Sequence, residues 1–368
     1  MNLYLFGWPS NIGGASTKIC HLLCLLAGQC DITVVPDDAE QLADAPWRKF
    51  LERRGVRCRL LSDLPRRLTG WGLAMCHIDF FTKGIVGEAR RRGLKIAWSS
   101  DMMCFTPAEL GAVLAGLVDV IIYVSAAQRA VLEPGYAAAL GAVPEPIAPD
   151  AVSGWIGAPG SRLRVPWVMT GNYIDPAWFP FRDRWRGARR TAASGLSVGR
   201  LSRADEDKYP DHFPETYERL GLREPRFRVM AWSRELRKKW RRHRFDRRWE
   251  LLNVMAEPQA DFLRSLDLFV YQLSPRFLES WGRAAVEAAL TGAIPLVPKG
   301  GGHHLENLVA HGVSGFHCAD DADYRHCARL LQDDPALRRK MSRAAREWSV
   351  EKLCNREEHL ALWERVFV

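Results

Sequence analysis

Residues 277–288 read Phe277-Leu278-Glu279-Ser280-Trp281-Gly282-Arg283-Ala284-Ala285-Val286-Glu287-Ala288. An apolar and aromatic run, residues 268–271, precedes them, and Gly292 ends the helical run that follows. The pattern is strand, loop, helix. It puts Glu279 in the loop and Glu287 inside the helix. Eight helical residues turn through roughly 800°, about 80° from alignment, a difference the loop can absorb. Between the two acids lies a helix N-terminus, whose free N–H groups favour an anion. Such an arrangement can hold a sugar through Glu279, phosphates at the helix tip and a ribose through Glu287. Capping is the plainer account of Glu279. Glu287 stands in an Ala/Val/Leu run, where a carboxylate needs a partner.

Outward from this stretch, strands and helices alternate through the second half of the chain. Strand runs fall at residues 196–198, 227–231, 268–271, 294–297 and 315–317, and helical runs at 214–220, 259–266, 283–290, 305–310 and 335–347. The first half alternates in the same way. Its strands are expected at 2–6, 32–35, 56–61, 73–78, 95–98 and 120–124, its helices at 17–27, 41–54, 84–92 and 107–117. Steady alternation predicts parallel sheets covered by helices on both faces. The fold class is therefore α/β, with two Rossmann-like, doubly wound domains in tandem, which suits 368 residues. Residues 137–161, rich in Ala, Pro and Gly, predict an irregular excursion, and 350–368 an amphipathic terminal helix.

Composition excludes several classes. Apolar residues make up 47% and charged residues 26%, so a largely disordered chain is out. The N-terminus has no basic segment and reaches Pro9 too early for an export signal. The longest apolar run, residues 114–127, carries Asp119 and is too short for a membrane span. The expected address is the cytoplasm. Nine scattered cysteines without a CxxC pair predict reduced, structural thiols. His303-His304 alone is too little for zinc. The net charge is +9, and most of it lies from Arg234 to Arg248 (RELRKKWRRHRFDRR), nine cations against Glu235 and Asp246. Trp240 and Phe245 interleave with these cations. The patch suits nucleic acid, an anionic membrane surface or a phosphorylated substrate. It equally suits a solvated face.

Two further segments put glycines or cations at strand ends. The first strand runs into Gly7-Trp8-Pro9-Ser10-Asn11-Ile12-Gly13-Gly14 and then a helix, where backbone can approach a phosphate or sugar. A GxGxxG fingerprint is absent. Val198-Gly199-Arg200-Leu201 ends another strand, and Lys208 lies eight residues beyond Arg200. Two cations there can neutralise a diphosphate without metal. Each feature alone is equally a turn or a pair of surface charges. Taken together and in order, Gly13-Gly14, Gly199-Arg200, Lys208 and the Glu279-x7-Glu287 pair resemble a GT-B glycosyltransferase of family GT4. Residues 167–179 (WVMTGNYIDPAWF) and the run from Asp119 to Ser125 resemble further segments of that family's N-terminal domain. The resemblance covers nearly the whole chain.

The resemblance implies a GT-B fold, two Rossmann-like domains facing a central cleft. Residues 1–178 would form the acceptor side, 179–349 the donor-binding domain, and 350–368 a helix packing back on the first domain. It implies a retaining enzyme that moves a sugar from a nucleotide-diphosphate sugar to a sugar, lipid-linked or other hydroxyl acceptor, with no cofactor or metal. Arg200 and Lys208 would hold the donor diphosphate, and Glu279 would contact the transferred sugar. Gly13, Gly14, Gly199, Gly282, Arg283 and Glu287 would line the donor site, Glu287 on the ribose. The chain departs from the family pattern twice. Many relatives carry a histidine after the fifth strand; this chain has Trp98-Ser99-Ser100-Asp101, so Ser100, Asp101 and His77 are the acceptor-side candidates. After Glu279 it reads Ser-Trp-Gly-Arg in place of Gly-Phe-Gly, making Arg283 either a phosphate ligand or the partner of an acid. The competing function is a polyanion-binding protein on the same fold, without turnover, acting through Arg234 to Arg248. An enzyme docked by that patch on a polyanion or on the inner membrane face combines the two. A nucleotide-sugar epimerase on this fold sits less well with the intact Glu pair.

Overall fold

The computed structural model describes residues 1–10, 14–75, 79–141, 151–157, 164–183 and 195–368. They form two compact units, one of residues 1–174 with 356–368 and one of residues 175–355. The division falls four residues before the expected 178/179 boundary, because the short turn Pro176–Trp178 belongs to the second unit. Arg346 donates to the carbonyls of Phe179 (2.7 Å) and Leu290 (2.9 Å) and ties it there. The return falls at 355/356 in place of 349/350, because a wide turn, Ser349–Leu353, continues the preceding helix.

The first unit holds β1 (Asn2–Phe6), α1 (Gly14–Leu26), β2 (Asp31–Val35), α2 (Ala45–Glu52), β3 (Arg57–Cys58), β4 (Trp71–Met75), α3 (Asp79–Thr82) and α4 (Ile85–Arg91). It continues with β5 (Lys95–Ser99), α5 (Pro107–Leu114), β6 (Val120–Tyr123), α6 (Ala126–Ala139), β7 (Ser153–Ile156) and β8 (Val165–Met169). The sheet order is β3-β2-β1-β4-β5-β6-β8-β7, parallel except at β7–β8. Its central strands are continuous apolar runs because both faces are covered. Leu3 and Leu5 pack with Leu22 and Leu73 on one side, Tyr4 and Phe6 with Trp98 and Tyr136 on the other. Caps set the helix starts. Thr106 and Glu109 form a capping box with Pro107 at the first helical position, and Ser125 caps α6. The excursion expected from residue 137 begins later, since α6 runs through Pro134 to Ala139, and β7 lies within the expected excursion.

The second unit holds β9 (Ser197–Leu201), α7 (Phe213–Glu218), β10 (Arg226–Met230), α8 (Arg234–Lys239), β11 (Trp249–Leu252), α9 (Gln259–Ser265) and β12 (Leu268–Val270). Then come α10 (Arg283–Thr291), β13 (Ile294–Pro298), β14 (Phe316–Cys318), α11 (Asp321–Asp333) and α12 (Pro335–Trp348); α13 (Arg356–Val366) returns to the first unit. The parallel order is β11-β10-β9-β12-β13-β14. The two sheets thus share one winding scheme. Each reverses direction beside its first strand, between β1 and β4 and between β9 and β12. In open α/β sheets ligands collect at the carboxyl ends of the strands at that reversal. No described helix is long and apolar enough to cross a membrane.

Candidate functional site

The carboxyl ends of β9 and β12 carry a connected set of charged and aromatic side chains. Lys208, on the short turn Glu206–Lys208, reaches Glu279 at 2.8 Å, with the two side chains 11% and 12% exposed. The Tyr271 hydroxyl donates to the same carboxylate oxygen at 2.7 Å. Burial pushes the Glu279 carboxyl up, but the Lys208 ammonium and the Tyr271 hydroxyl outweigh it and hold the group below its ordinary value. Glu279 is therefore anionic at neutral pH. Its backbone N–H donates to His303 Nδ1 at 3.2 Å, which leaves the His303 proton on Nε2. Burial lowers His303 against the opposing pull of Glu279 and Glu306, so the ring is neutral.

Arg200, on β9, is fully buried. Its guanidinium lies 4.0 Å from the Tyr209 ring and 4.8 Å from the Tyr271 ring, and donates to the Gln272 carbonyl at 2.8 Å. It forms no ion pair among the described residues. The resemblance implies that Arg200 holds the donor diphosphate; the structure encloses its side chain beneath aromatic rings, with Tyr271 between it and Glu279. Strand alternation explains the enclosure: Arg200 shares its face of β9 with Val198, and with Leu196 just before the strand, both of the unit's core. Lys208 is the cation with surface left to meet a ligand. Gln272 also donates from its side chain to Asp321, the first residue of α11, at 3.1 Å.

The start of α10 is set by Gly282, whose φ of +98° is left-handed and where a Cβ would collide with Leu305. Glu287 is buried within α10, one oxygen accepting from Arg283 at 3.2 Å and the other from Gln259 at 2.5 Å. Burial raises the Glu287 carboxyl by more than Arg283 and Gln259 offset. Arg283 thus takes the second of its two readings, partner of an acid. Gly199 lies inside β9, where a Cβ would meet the Arg228 carbonyl and Leu266, so packing alone accounts for it.

In the first unit Gly14 opens α1, while Gly13 and His77 lie outside the described residues. Lys18 of α1 is buried and donates to Ser99 Oγ (2.9 Å) and to Asp101 (2.7 Å). Ser100 is buried beside them, with no partner for its Oγ among the described residues and its carbonyl accepting from Gln128. The structure therefore brings Ser100 and Asp101 together with a lysine that sequence reasoning missed. The available signal was one lysine within the apolar helix GASTKICHLLCLL. Tyr271 and Gln259 were missed as well, and His303 was weighed only as a metal ligand. For His303 the cue was the glycine run before it, Gly300, Gly301 and Gly302, all left-handed at φ 77°, 74° and 71°.

No protein-family model matches the chain. Among curated proteins, the D-inositol 3-phosphate glycosyltransferase of Pseudarthrobacter chlorophenolicus is 38% identical over 101 residues, 26% of this chain and 22% of that protein. Its namesake from Streptomyces avermitilis is 38% identical over 94 residues, 25% of this chain and 19% of that protein. The matched part thus spans about a fifth of the length of these relatives. Among solved structures, Anabaena HepE in complex with UDP-glucose superposes with a TM-score of 0.69 at 14% identity, over 100% of this chain and 99% of HepE. Sucrose-phosphate synthase from Thermosynechococcus elongatus gives 0.64 at 12%, over 99% and 98% of the two chains. A glycosyltransferase from Rickettsia africae gives 0.68 at 10%, over 99% and 98%. The chain has the GT-B fold of these proteins, two units each built on a parallel sheet.

Proposed function

We propose that the protein is a retaining glycosyltransferase of the GT4 type that moves a sugar from a nucleotide-diphosphate sugar, UDP-linked, to a hydroxyl acceptor. The observation that carries this reading is the Lys208–Glu279–Tyr271 cluster at the sheet reversal of the second unit. The UDP-glucose bound to HepE supports a uridine donor, and the inositol phosphate glycosyltransferases support a sugar-like hydroxyl acceptor. Lys208 faces the negative charge that develops on the leaving diphosphate, with Arg200 as a second, enclosed cation behind Tyr271. Glu279, held anionic, contacts the transferred sugar as positive charge grows at its anomeric carbon. Glu287 receives the ribose, its carboxylate oriented by Arg283 and Gln259. The anomeric carbon–oxygen bond to the diphosphate breaks while the acceptor oxygen bonds on the same face. The leaving phosphate takes the acceptor's proton, so no separate base is needed. The fixed cations neutralise the leaving group, so the step as written uses no metal.

Thermal denaturation with nucleotides tests the reading. UDP at about 100 times its dissociation constant should stabilise the chain by about 2.7 kcal/mol, and Lys208→Ala should abolish most of that gain. No stabilisation by UDP, UDP-glucose or any other nucleoside diphosphate overturns it. Retention is checked by the anomeric configuration of the product.

A further inference from the structure

The cations between Arg234 and Arg248 divide into two sets. The inner set is engaged. Lys239 pairs with Asp211 at 3.0 Å and donates to the Glu206 and Tyr209 carbonyls, Arg248 pairs with Asp246, and Arg237 donates to Asn253. The outer set is Arg234, Lys238, Arg241, Arg242, Arg244 and Arg247, all exposed and without an ion pair among the described residues.

Trp240 and Phe245, which made nucleic acid one reading of this stretch, face the other way. Trp240 is 6% exposed, stacks on Trp232 at 5.4 Å and donates its indole N–H to the Asp211 carbonyl. Phe245 packs edge-on against Trp232 and Trp249. Single-strand binding relies on exposed rings on which bases stack; here the rings belong to the core. What reaches solvent from α8 and the following turn is charge, on a floor that the aromatic cluster holds firm. Lys238, Arg241 and Arg242 also line a surface groove of about 850 Å³ together with Glu206 and Asp207.

We infer that this face docks the protein on an anionic phospholipid surface by binding the lipid phosphates. Guanidinium forks match phosphate oxygens in pairs, and five of the six outer cations are arginines. The outer set falls within the four to eight cations with which polybasic segments hold an anionic leaflet, and each cation near the surface strengthens adsorption about fivefold. A bilayer offers phosphates in one plane, which Lys238, Arg241 and Arg242, placed together on one groove, can meet at the same time. With the aromatics buried, the adsorption is electrostatic and shallow, hence salt-sensitive.

The test is co-sedimentation of the full chain with vesicles of phosphatidylcholine alone or with about 30% phosphatidylglycerol, at roughly 50 and 300 mM salt. A single-stranded oligonucleotide of mixed sequence is titrated in parallel. The expected result is binding only to the phosphatidylglycerol vesicles, lost at high salt and weakened at least about a hundredfold in the triple variant Lys238→Glu/Arg241→Glu/Arg242→Glu. These side chains are exposed and unpaired, so the variant should keep its melting temperature. Should it not, Arg244→Glu/Arg247→Glu serves as the second variant. Equal binding to both vesicle types, no binding at low salt, or undiminished binding by a folded variant overturns the proposal. Tighter binding of the oligonucleotide than of the vesicles also overturns it and assigns the face to nucleic acid. None of these readouts depends on UDP, so a negative result leaves the proposed activity standing, and loss of that activity leaves the docking face untouched.

Discussion

Lys208 and Glu279 neutralise each other, so removing either changes both chemistry and charge balance. Lys208→Ala should lower turnover by about 100-fold or more, measured as donor hydrolysis, because it deletes the cation proposed to face the leaving group. It also leaves Glu279 with burial less opposed, so the carboxyl should move up from its lowered position. The sign for stability follows. A carboxyl held below 4.5 stabilises the fold above its unfolded value and loses that contribution as pH falls through the folded one. Lys208→Ala should shrink that acid-sensitive part. Glu279→Gln should reduce kcat more than it raises donor KM, and Glu287→Gln should do the reverse, because the proposed ribose contact would be made equally in ground and transition states. Unchanged donor affinity in Glu287→Gln would return Glu287 to a purely structural pair with Arg283. His304 gives a separate residue-scale prediction. Burial pushes it from 6.5 down to about 4, so the unfolded chain binds the extra proton first and stability falls as pH drops through that window. Between pH 7 and pH 5 the loss should be about 2 kcal/mol in denaturant titrations, and His304→Phe should remove it.

At the scale of elements, legibility followed burial. Strands such as β1, β6 and β13 were readable because both of their faces are covered, which leaves near-continuous apolar runs. β11 was not, since its four residues are all half-buried at a sheet edge and follow directly on the cations. α11 was not, because its outer face mixes Ala322 and Leu330 with Arg325, His326, Arg329 and Asp333, which blurs the periodicity; Tyr324, Cys327, Ala328, Leu331 and Gln332 turn inward. The candidate site split in the same way. The Glu279–Glu287 spacing is local and could be read, whereas the Lys18–Asp101 pair joins residues 83 apart and the enclosure of Arg200 brings Tyr271, from another strand, against it together with Tyr209 and Phe213. Pattern reasoning finds periodicity, not partners. One element-scale prediction concerns the start of α10. Gly282→Ala forces a left-handed φ on a residue with a Cβ and drives that atom into Leu305, so stability should fall by about 2–4 kcal/mol. A loss under about 0.5 kcal/mol would mean that the glycine is not needed for the helix start.

For the whole molecule, the path of the chain makes a prediction that neither half makes alone. The chain leaves its first unit at Ile174, builds the second through Asn355 and returns with α13. That helix buries His359, Trp363 and Val366 in the first unit. Trp363 is 2% exposed and stacks on Phe367, which in turn packs edge-on against Trp71 of β4, and Arg356 donates to the Leu25 carbonyl at 3.0 Å. A residue at the far end of the sequence therefore holds the first core. Trp363→Ala should cost about 3–5 kcal/mol through the cavity it leaves, and the cost should fall on the first unit. The proposed UDP contacts, Lys208, Glu279 and Glu287, all belong to the second unit, so UDP should raise the stability of that unit. Calorimetry of the variant with and without UDP separates the two. The transition lowered by Trp363→Ala should be the one that UDP leaves unmoved. A single transition responding equally to both changes would show that the units unfold together. The same response would be expected if the nucleotide bound the first unit, and Lys208→Ala distinguishes these outcomes, because it removes the UDP shift only where the nucleotide sits beside β9 and β12.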